Sequence, residues 1–281
     1  MSGTLHRYAA FTTVAQGGNR AGVWVGDALP PEREMQRIAQ AVGYPMTAFL
    51  EPERGADRRV RYFSLEREVD LCGHATIAAG VRFGQAEGPG EYRLATNVGS
   101  VPVTVRRDRG VWSAAFSSAP PRHERAPHRL LQESLAALRW HRSELEPGIP
   151  PARIYAGNWH LLIAVKTAAR LAVLDYDYER MKALMLADGL ATLQLVWREA
   201  PGVFHARSAF PTGGVVEDPA TGSGAAALGG YLRDAGFLSA PADIVIRQGE
   251  AMGRPSRIGV HIPAAGSIIV SGSAVPLEDF A

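Results

Sequence analysis

Apolar positions along the 281-residue chain change period several times, and the changes mark a mixed architecture of helices and strands. Val23-Trp24-Val25 reads as the end of a first strand, stopped by Gly26-Asp27. Pro30-Pro31 then opens a helix whose Met35, Ile38, Ala39 and Val42 fall at i, i+3, i+4 and i+7, one buried stripe, with Gly43 as its stop. Residues 47–50 and 59–63 pattern as strands, followed by a loop and the small-residue run 72–80. Residues 92–96, 101–107 and 111–116 form a short antiparallel set, with Asp108-Arg109-Gly110 as the last turn.

Residues 118–127, rich in Pro, Arg and His, read as a linker. Beyond it come a helix carrying Leu131, Leu135 and Leu138, a strand over 161–165, a helix over 178–187 stopped by Gly189, and a strand over 192–197. Residues 222–232, dense in Gly and Ala, predict a helix that packs closely against its surroundings. The tail holds strand patterns at 244–246, 257–262 and 268–270. The predicted organisation is two lobes, residues 1–118 and 119–281, with the last strand a candidate to cross back to the first lobe.

One repetition organises the candidate chemistry. Each half runs from strands into a turn and then a small-residue helix: Cys72-Gly73-His74-Ala75-Thr76 in the first, Asp218-Pro219-Ala220-Thr221-Gly222-Ser223 in the second. A helix built of small residues can sit centrally, wrapped by a sheet. Its first N–H groups and the positive end of its dipole then suit a carboxylate. Either segment alone is explained by tight packing; two of them point to a shared site between the lobes.

Composition narrows the function classes. Hydrophobic residues at 46% and charged residues at 21% are ordinary for a globular protein. The net charge is +2 with interleaved signs, and the densest basic run, Arg106-Arg107-Asp108-Arg109, is short and interrupted, which argues against nucleic acid as a partner. No uninterrupted apolar run approaches a membrane span, and residues 1–10 have no apolar core of signal-peptide length. The single cysteine, Cys72, rules out an intrachain disulfide framework, so a reducing cytoplasm is the expected compartment. His123 and His128 lack acidic or Cys partners at metal-ligand spacing, and neither Lys166 nor Lys182 has the context of a Schiff-base lysine. Gly222-x-Gly224-x-x-Ala227 mimics a dinucleotide fingerprint without the spaced acidic partner on a second strand. No cofactor and no metal are expected.

The motifs, taken in order, resemble those of the phenazine-biosynthesis isomerase-like family, relatives of diaminopimelate epimerase. They are Gly18-Asn19-Arg20-Ala21-Gly22-Val23, Met35-Gln36-x-Ile38-Ala39, Thr47-Ala48-Phe49, Glu68-x-x-Leu71-Cys72-Gly73-His74-Ala75-Thr76, Gly157-x-x-His160, Arg207-x-x-Phe210-x-x-x-Gly214-x-x-Glu217-Asp218-Pro219-Ala220-Thr221-Gly222-Ser223 and Gln248-Gly249-x-x-Met252-Gly253-Arg254-Pro255. The resemblance implies an α+β fold of two pseudo-symmetric lobes, each a sheet wrapped around a central helix, and commonly a homodimer. It implies cofactor-independent proton transfer on a small carboxylate of amino-acid or secondary metabolism. Isomerisation, epimerisation, and elimination or cyclisation begun by proton transfer are all open to it. His74 and Asp218 match catalytic positions; Gly73, Gly222, Ser223, Asn19, Cys72 and Met46 are expected at the substrate.

One departure matters. The family pattern Ser-Glu-Thr-Ala-Phe stands here as Pro45-Met46-Thr47-Ala48-Phe49, and Met46 cannot accept or deliver a proton. Glu51 lies five positions on and is not expected to replace it. The epimerase relatives work with two opposed cysteines, and this chain has one, so that mechanism is excluded; Cys72 is either an inert buried thiol or a thiolate paired with His74 or Asp218. Asp218 before Pro also suits a turn-capping role, and Glu217 reads as a solvated or ion-paired neighbour. The alternative to an enzyme is a non-catalytic carboxylate-binding protein on the same scaffold.

Overall fold

The computed structural model describes residues 3–53 and 57–278. The chain divides into two compact units, one of Met1–Ser117 with Val270–Ala281 and one of Ser118–Ile269. In the first, β1 (Gly3–Ala10) and β2 (Asn19–Gly26) precede helix α1 (Glu32–Val42), and β3 (Met46–Pro52), β4 (Asp57–Phe63) and the short β5 (Glu68–Val69) lead into α2 (Gly73–Glu87). Three strands follow, β6 (Gly90–Thr96), β7 (Gly99–Asp108) and β8 (Val111–Ser117). The second unit runs β9 (Arg122–Arg125), α3 (His128–Leu138), β10 (Ala152–Tyr155), β11 (Trp159–Ala164), α4 (Ala168–Ala172) and α5 (Tyr178–Ala187). It continues through β12 (Thr192–Ala200), β13 (Val203–Ala209), the short β14 (Glu217–Asp218), α6 (Gly222–Asp234), β15 (Ala242–Gln248) and β16 (Ser256–Ile262). β17 (Ile269–Pro276) then pairs with β1 and β8 in the first unit.

In the first unit the strands pair around a closed circuit: β1 with β2, β2 with β3, β3 with β4, β4 with β6, β6 with β7, β7 with β8, β8 with β17 and β17 with β1. Helix α2 runs inside this barrel, against β1, β2, β3, β7 and β8. The second unit repeats the scheme from β10 to β16, with parallel β11–β12 and β13–β15 pairs matching β2–β3 and β4–β6. There α6 packs on β9, β10, β11 and β16. The other face of each sheet is covered too. Met35 and Ala39 of α1 bury against Trp24, Phe49 and Phe63. Leu131, Leu135 and Leu138 of α3 and Met181 and Met185 of α5 bury with Leu161, Ile163 and Leu195.

Enclosing a helix in a sheet dictates its residues. A Cβ on Gly80 would lie 2.8 Å from Ala114 Cβ and 2.9 Å from Val103 Cγ1, and one on Gly229 would lie 2.9 Å from Val260 Cγ1. The small-residue runs are therefore a packing requirement. Local signals elsewhere act as read: Gly43 takes φ +69° and closes α1 onto the Ala39 carbonyl. Arg109 (φ +47°) and Gly110 (φ +86°) form a two-residue hairpin turn between β7 and β8. Residues 118–127 are not a linker. Arg122–Arg125 pairs antiparallel with Ala152–Tyr155, and because all four β9 residues are exposed the strand carries no apolar alternation.

Gly80→Val should destabilise the fold by about 1–3 kcal/mol, because the added carbons have nowhere to go between Ala114 and Val103. Urea unfolding checks this. Unchanged stability would mean that α2 can shift within its barrel.

Candidate active site

Helix α2 begins at Gly73, and the residue before it, Cys72, makes no side-chain cap to its first N–H groups. His74, the second residue of the helix, is buried. Its Nδ1 lies 3.3 Å from Asn19 Nδ2 on β2 and 3.3 Å from Cys72 Sγ. An amide N–H can only donate, so the Asn19 contact leaves Nδ1 as acceptor and puts the ring proton on Nε2. Burial holds the imidazole at about 4, well below its ordinary value, so His74 is neutral near pH 7. Thr76 anchors the turn: its N–H and hydroxyl both donate to the Cys72 carbonyl, at 2.9 and 2.8 Å. With that proton committed, the Tyr62 hydroxyl donates to Thr76 Oγ1 at 2.7 Å.

Met46 opens β3 directly opposite Ala21, two residues along β2 from Asn19. Alternation along a strand puts Asn19, Ala21 and Met46 on one face of the sheet. Met46 is half-buried. Glu51, at the other end of β3, accepts the Leu29 N–H at 2.7 Å.

The second unit builds a denser turn. β14 pairs Glu217 with Ala209 and Asp218 with Ser208. Glu217 is buried and held by Arg207, Nε to Oε1 at 2.9 Å and Nη2 to Oε2 at 2.5 Å, while Arg207 Nη1 donates to the Ala172 carbonyl. Asp218 is 8% exposed, and its Oδ2 accepts the Thr221 hydroxyl at 2.6 Å. Gln248 of β15 backs the turn. Its Nε2 donates to the Asp218 carbonyl at 2.7 Å and lies 3.1 Å from both Thr221 Oγ1 and Ser208 Oγ, and its Oε1 accepts the Thr221 N–H at 3.3 Å. Gly249 follows with φ +77°, where a Cβ would strike the Pro219 carbonyl at 2.7 Å. Gly222 and Ser223 are the first two residues of α6, and Thr221 before them gives the helix no side-chain cap.

The paired registers align the two turns residue by residue. Tyr62 faces Val69 as Ser208 faces Asp218, and four residues further each helix starts. Cys72 thus corresponds to Thr221, Gly73 to Gly222 and His74 to Ser223. Arg61 holds Glu68 (2.7 and 2.5 Å) as Arg207 holds Glu217. The same alignment matches Ala21 and Met46 with His160 and Thr192, which face each other across β11 and β12. His160 is fully buried, its Nδ1 2.7 Å from Thr192 Oγ1, its Nε2 without a partner, and burial holds it at about 3. His74, Asn19, Cys72 and Gly73 therefore come together in the first unit, and Asp218, Gly222 and Ser223 in the second. Thr221, Gln248, Ser208 and Thr192 were not singled out from the sequence; Thr221 and Gln248 lie within quoted motifs, and the repeat register is the signal that finds them. Among the described residues no group of three or more His, Cys, Asp or Glu is placed to hold a metal ion, and no helix is long and apolar enough to cross a membrane.

The profile of the family described as "Phenazine biosynthesis-like protein" matches residues 8–279. An uncharacterized isomerase of Deinococcus radiodurans is 34% identical over 272 residues, 92% of this chain and 86% of that one. The trans-2,3-dihydro-3-hydroxyanthranilate isomerase of Pseudomonas aeruginosa is 30% identical over 286 residues, 98% of each chain. In fold, the Bacillus anthracis phenazine biosynthesis protein of the PhzF family superposes with a TM-score of 0.86 at 23% identity, over 99% of this chain and 98% of that one.

The two buried imidazoles make stability depend on pH. Both stay neutral in the folded chain down to about 4 (His74) and about 3 (His160), whereas unfolding restores the ordinary 6.5. The unfolded chain thus binds more protons, and stability falls as pH drops from 6.5 toward these values. At about 1.4 kcal/mol per pH unit, His160→Gln should lose on the order of 2 kcal/mol less than the parent between pH 7 and 4.5. Equal losses in denaturant unfolding would show that His160 is protonated when folded.

Proposed function

The chain belongs to the phenazine biosynthesis-like family and is an isomerase-like enzyme, and from that premise we propose that it moves a proton on a small, amino-acid-like or cyclic carboxylate without a cofactor. Asp218 serves as the base and His74 as a neutral donor or proton carrier. The observation that carries this reading is the repeated turn: each enclosed helix begins without a side-chain cap, beside one buried proton-handling group. Free N–H groups at a helix start suit a substrate carboxylate and the negative charge that develops when an adjacent C–H is deprotonated.

The proton balance closes within these groups. Asp218, whose Oδ2 already accepts the Thr221 hydroxyl, takes a proton from carbon, the electron pair moves into the conjugated carboxylate, and the proton returns at a second carbon or on the other face. The His74 tautomer with its proton on Nε2 can donate to the anionic intermediate, whereas its depressed basicity makes it a poor first base.

Exchange in deuterium oxide tests the reading. The purified chain, incubated with a panel of small amino and cyclic carboxylates that includes trans-2,3-dihydro-3-hydroxyanthranilate, should exchange carbon-bound hydrogen in at least one, followed by proton NMR. Asp218→Asn and His74→Gln should lower that rate by about a hundred- to ten-thousandfold with melting unchanged, the usual contribution of an acid/base group. No exchange with any acid would favour a carboxylate-binding protein without turnover.

Dihydrohydroxyanthranilate itself should not be isomerised at a useful rate, because Met46 stands where the family carboxylate would act. Absorbance of the diene follows the reaction, and Met46→Glu should be the variant that gains it. Efficient turnover by the unaltered chain would show that another group supplies the missing acid or base.

A further inference from the structure

The repeat matches the sheet positions around the two helix starts, and their contents differ. In the second unit the inner face of β11, β12 and β13 is polar and tied to itself. His160 Nδ1 lies 2.7 Å from Thr192 Oγ1, and the Ser208 hydroxyl donates to Gln194 Oε1 at 2.7 Å. The matching places in the first unit hold Ala21, Met46, Tyr62 and Ala48. Seven of these eight residues are at most 2% exposed. Met46 is the exception, half-buried at the start of β3. One apolar side chain thus stays open on an inner face that is otherwise sealed at these places. It shares that face with Asn19, whose amide lies 3.3 Å from His74 Nδ1.

From β1 to β3 this face holds no full charge. The Arg and Glu side chains of the three strands are Arg7, Arg20 and Glu51, and alternation puts all three on the outer face. There Arg20 lies 5.7 Å from the centre of the Tyr44 ring, and Glu51 accepts the Leu29 N–H. His74 is neutral, burial holding it at about 4. A charged group set against such a wall would lose its water without gaining a partner, whereas an apolar group would gain from the contact. The Met side chain is unbranched and polarizable, so it adapts to groups of varied shape.

We propose that Met46 is a specificity-determining residue: its thioether side chain is the wall against which an uncharged, apolar substituent of the substrate packs, so that the enzyme selects small monocarboxylates carrying such a group over dicarboxylates and acids with a charged side chain. The inference rests on the reading of His74 as part of the substrate site and deepens it. A wall that touches substrate and transition state alike acts on binding and KM more than on kcat.

The experiment measures binding and exchange separately, by titration calorimetry and by proton NMR in deuterium oxide. The probes are 2-aminobutyrate, norvaline and norleucine, with aspartate, glutamate and lysine as charged counterparts. In the unaltered chain affinity should rise about fourfold with each methylene of the apolar series, the contribution of one buried CH2. The charged acids should bind at least about a hundredfold more weakly than norleucine. Met46→Leu should keep that order, and Met46→Ala should flatten the apolar series. Met46→Lys should bind glutamate more tightly than norleucine; if it does not fold, the flattening in Met46→Ala decides. Graded binding without exchange supports the wall while removing the acid/base reading of the site. Equal affinity of the unaltered chain for norleucine and glutamate, an apolar series that Met46→Ala leaves unaltered, or binding of none of the six acids overturns the proposal.

Discussion

A helix enclosed by a sheet is the constraint on which the rest of this molecule depends. Strands pass around α2 closely enough that a single methyl on Gly80 would meet Ala114 and Val103, and Gly229 meets the same limit in α6. The helices can therefore carry few large side chains, and their sequences become runs of Gly and Ala. A helix so placed buries its flanks and leaves its start as its reactive end. Side-chain capping would close that end. In both units the residue before the helix turns its side chain elsewhere and gives the helix no side-chain cap.

The two units answer this constraint with different chemistry. The second fills the barrel near its helix start with a connected polar set, in which Ser208, Gln194, Gln248, Thr221 and Asp218 share directed hydrogen bonds. Buried polar groups are costly unless paired, so such a network tolerates little change and holds its members in one geometry. At matching places the first unit has Ala48, Tyr62 and Cys72, and its polar contacts there include the Tyr62–Thr76 pair and the ring of His74. The two matching turns thus differ: one is a polar turn around a carboxylate, the other lies beside a neutral imidazole.

How much of this was legible in the chain follows from the same physics. Helix α1 could be read because one flank faces solvent and one faces core, and α5 because its length and its Gly189 stop are local signals. The enclosed helices were legible only through their small residues, since burial on all sides erases periodicity. β9 was missed because Arg122–Arg125 is exposed on both faces. β1 and β13 mix charged and apolar residues. The site divides in the same way: His74 and Asp218 stand in motifs, whereas Thr221 and Gln248 act through hydrogen bonds between strands and turns far apart in sequence, which no local pattern encodes. The local pattern leaves Glu217 between solvent and an ion pair, and its burial with two bonds from Arg207 decides for the ion pair.

Met46 takes its meaning from the face of the sheet it shares with Asn19. A carboxylate on that face would draw a proton to His74, since a nearby negative charge favours the imidazolium. The thioether supplies no such charge. Burial is then the cause acting on the ring, and it holds His74 neutral, with Asn19 directing the remaining proton to Nε2. With burial alone acting on it, the His74 ring meets its surroundings as a neutral hydrogen-bond donor and not as an imidazolium acid.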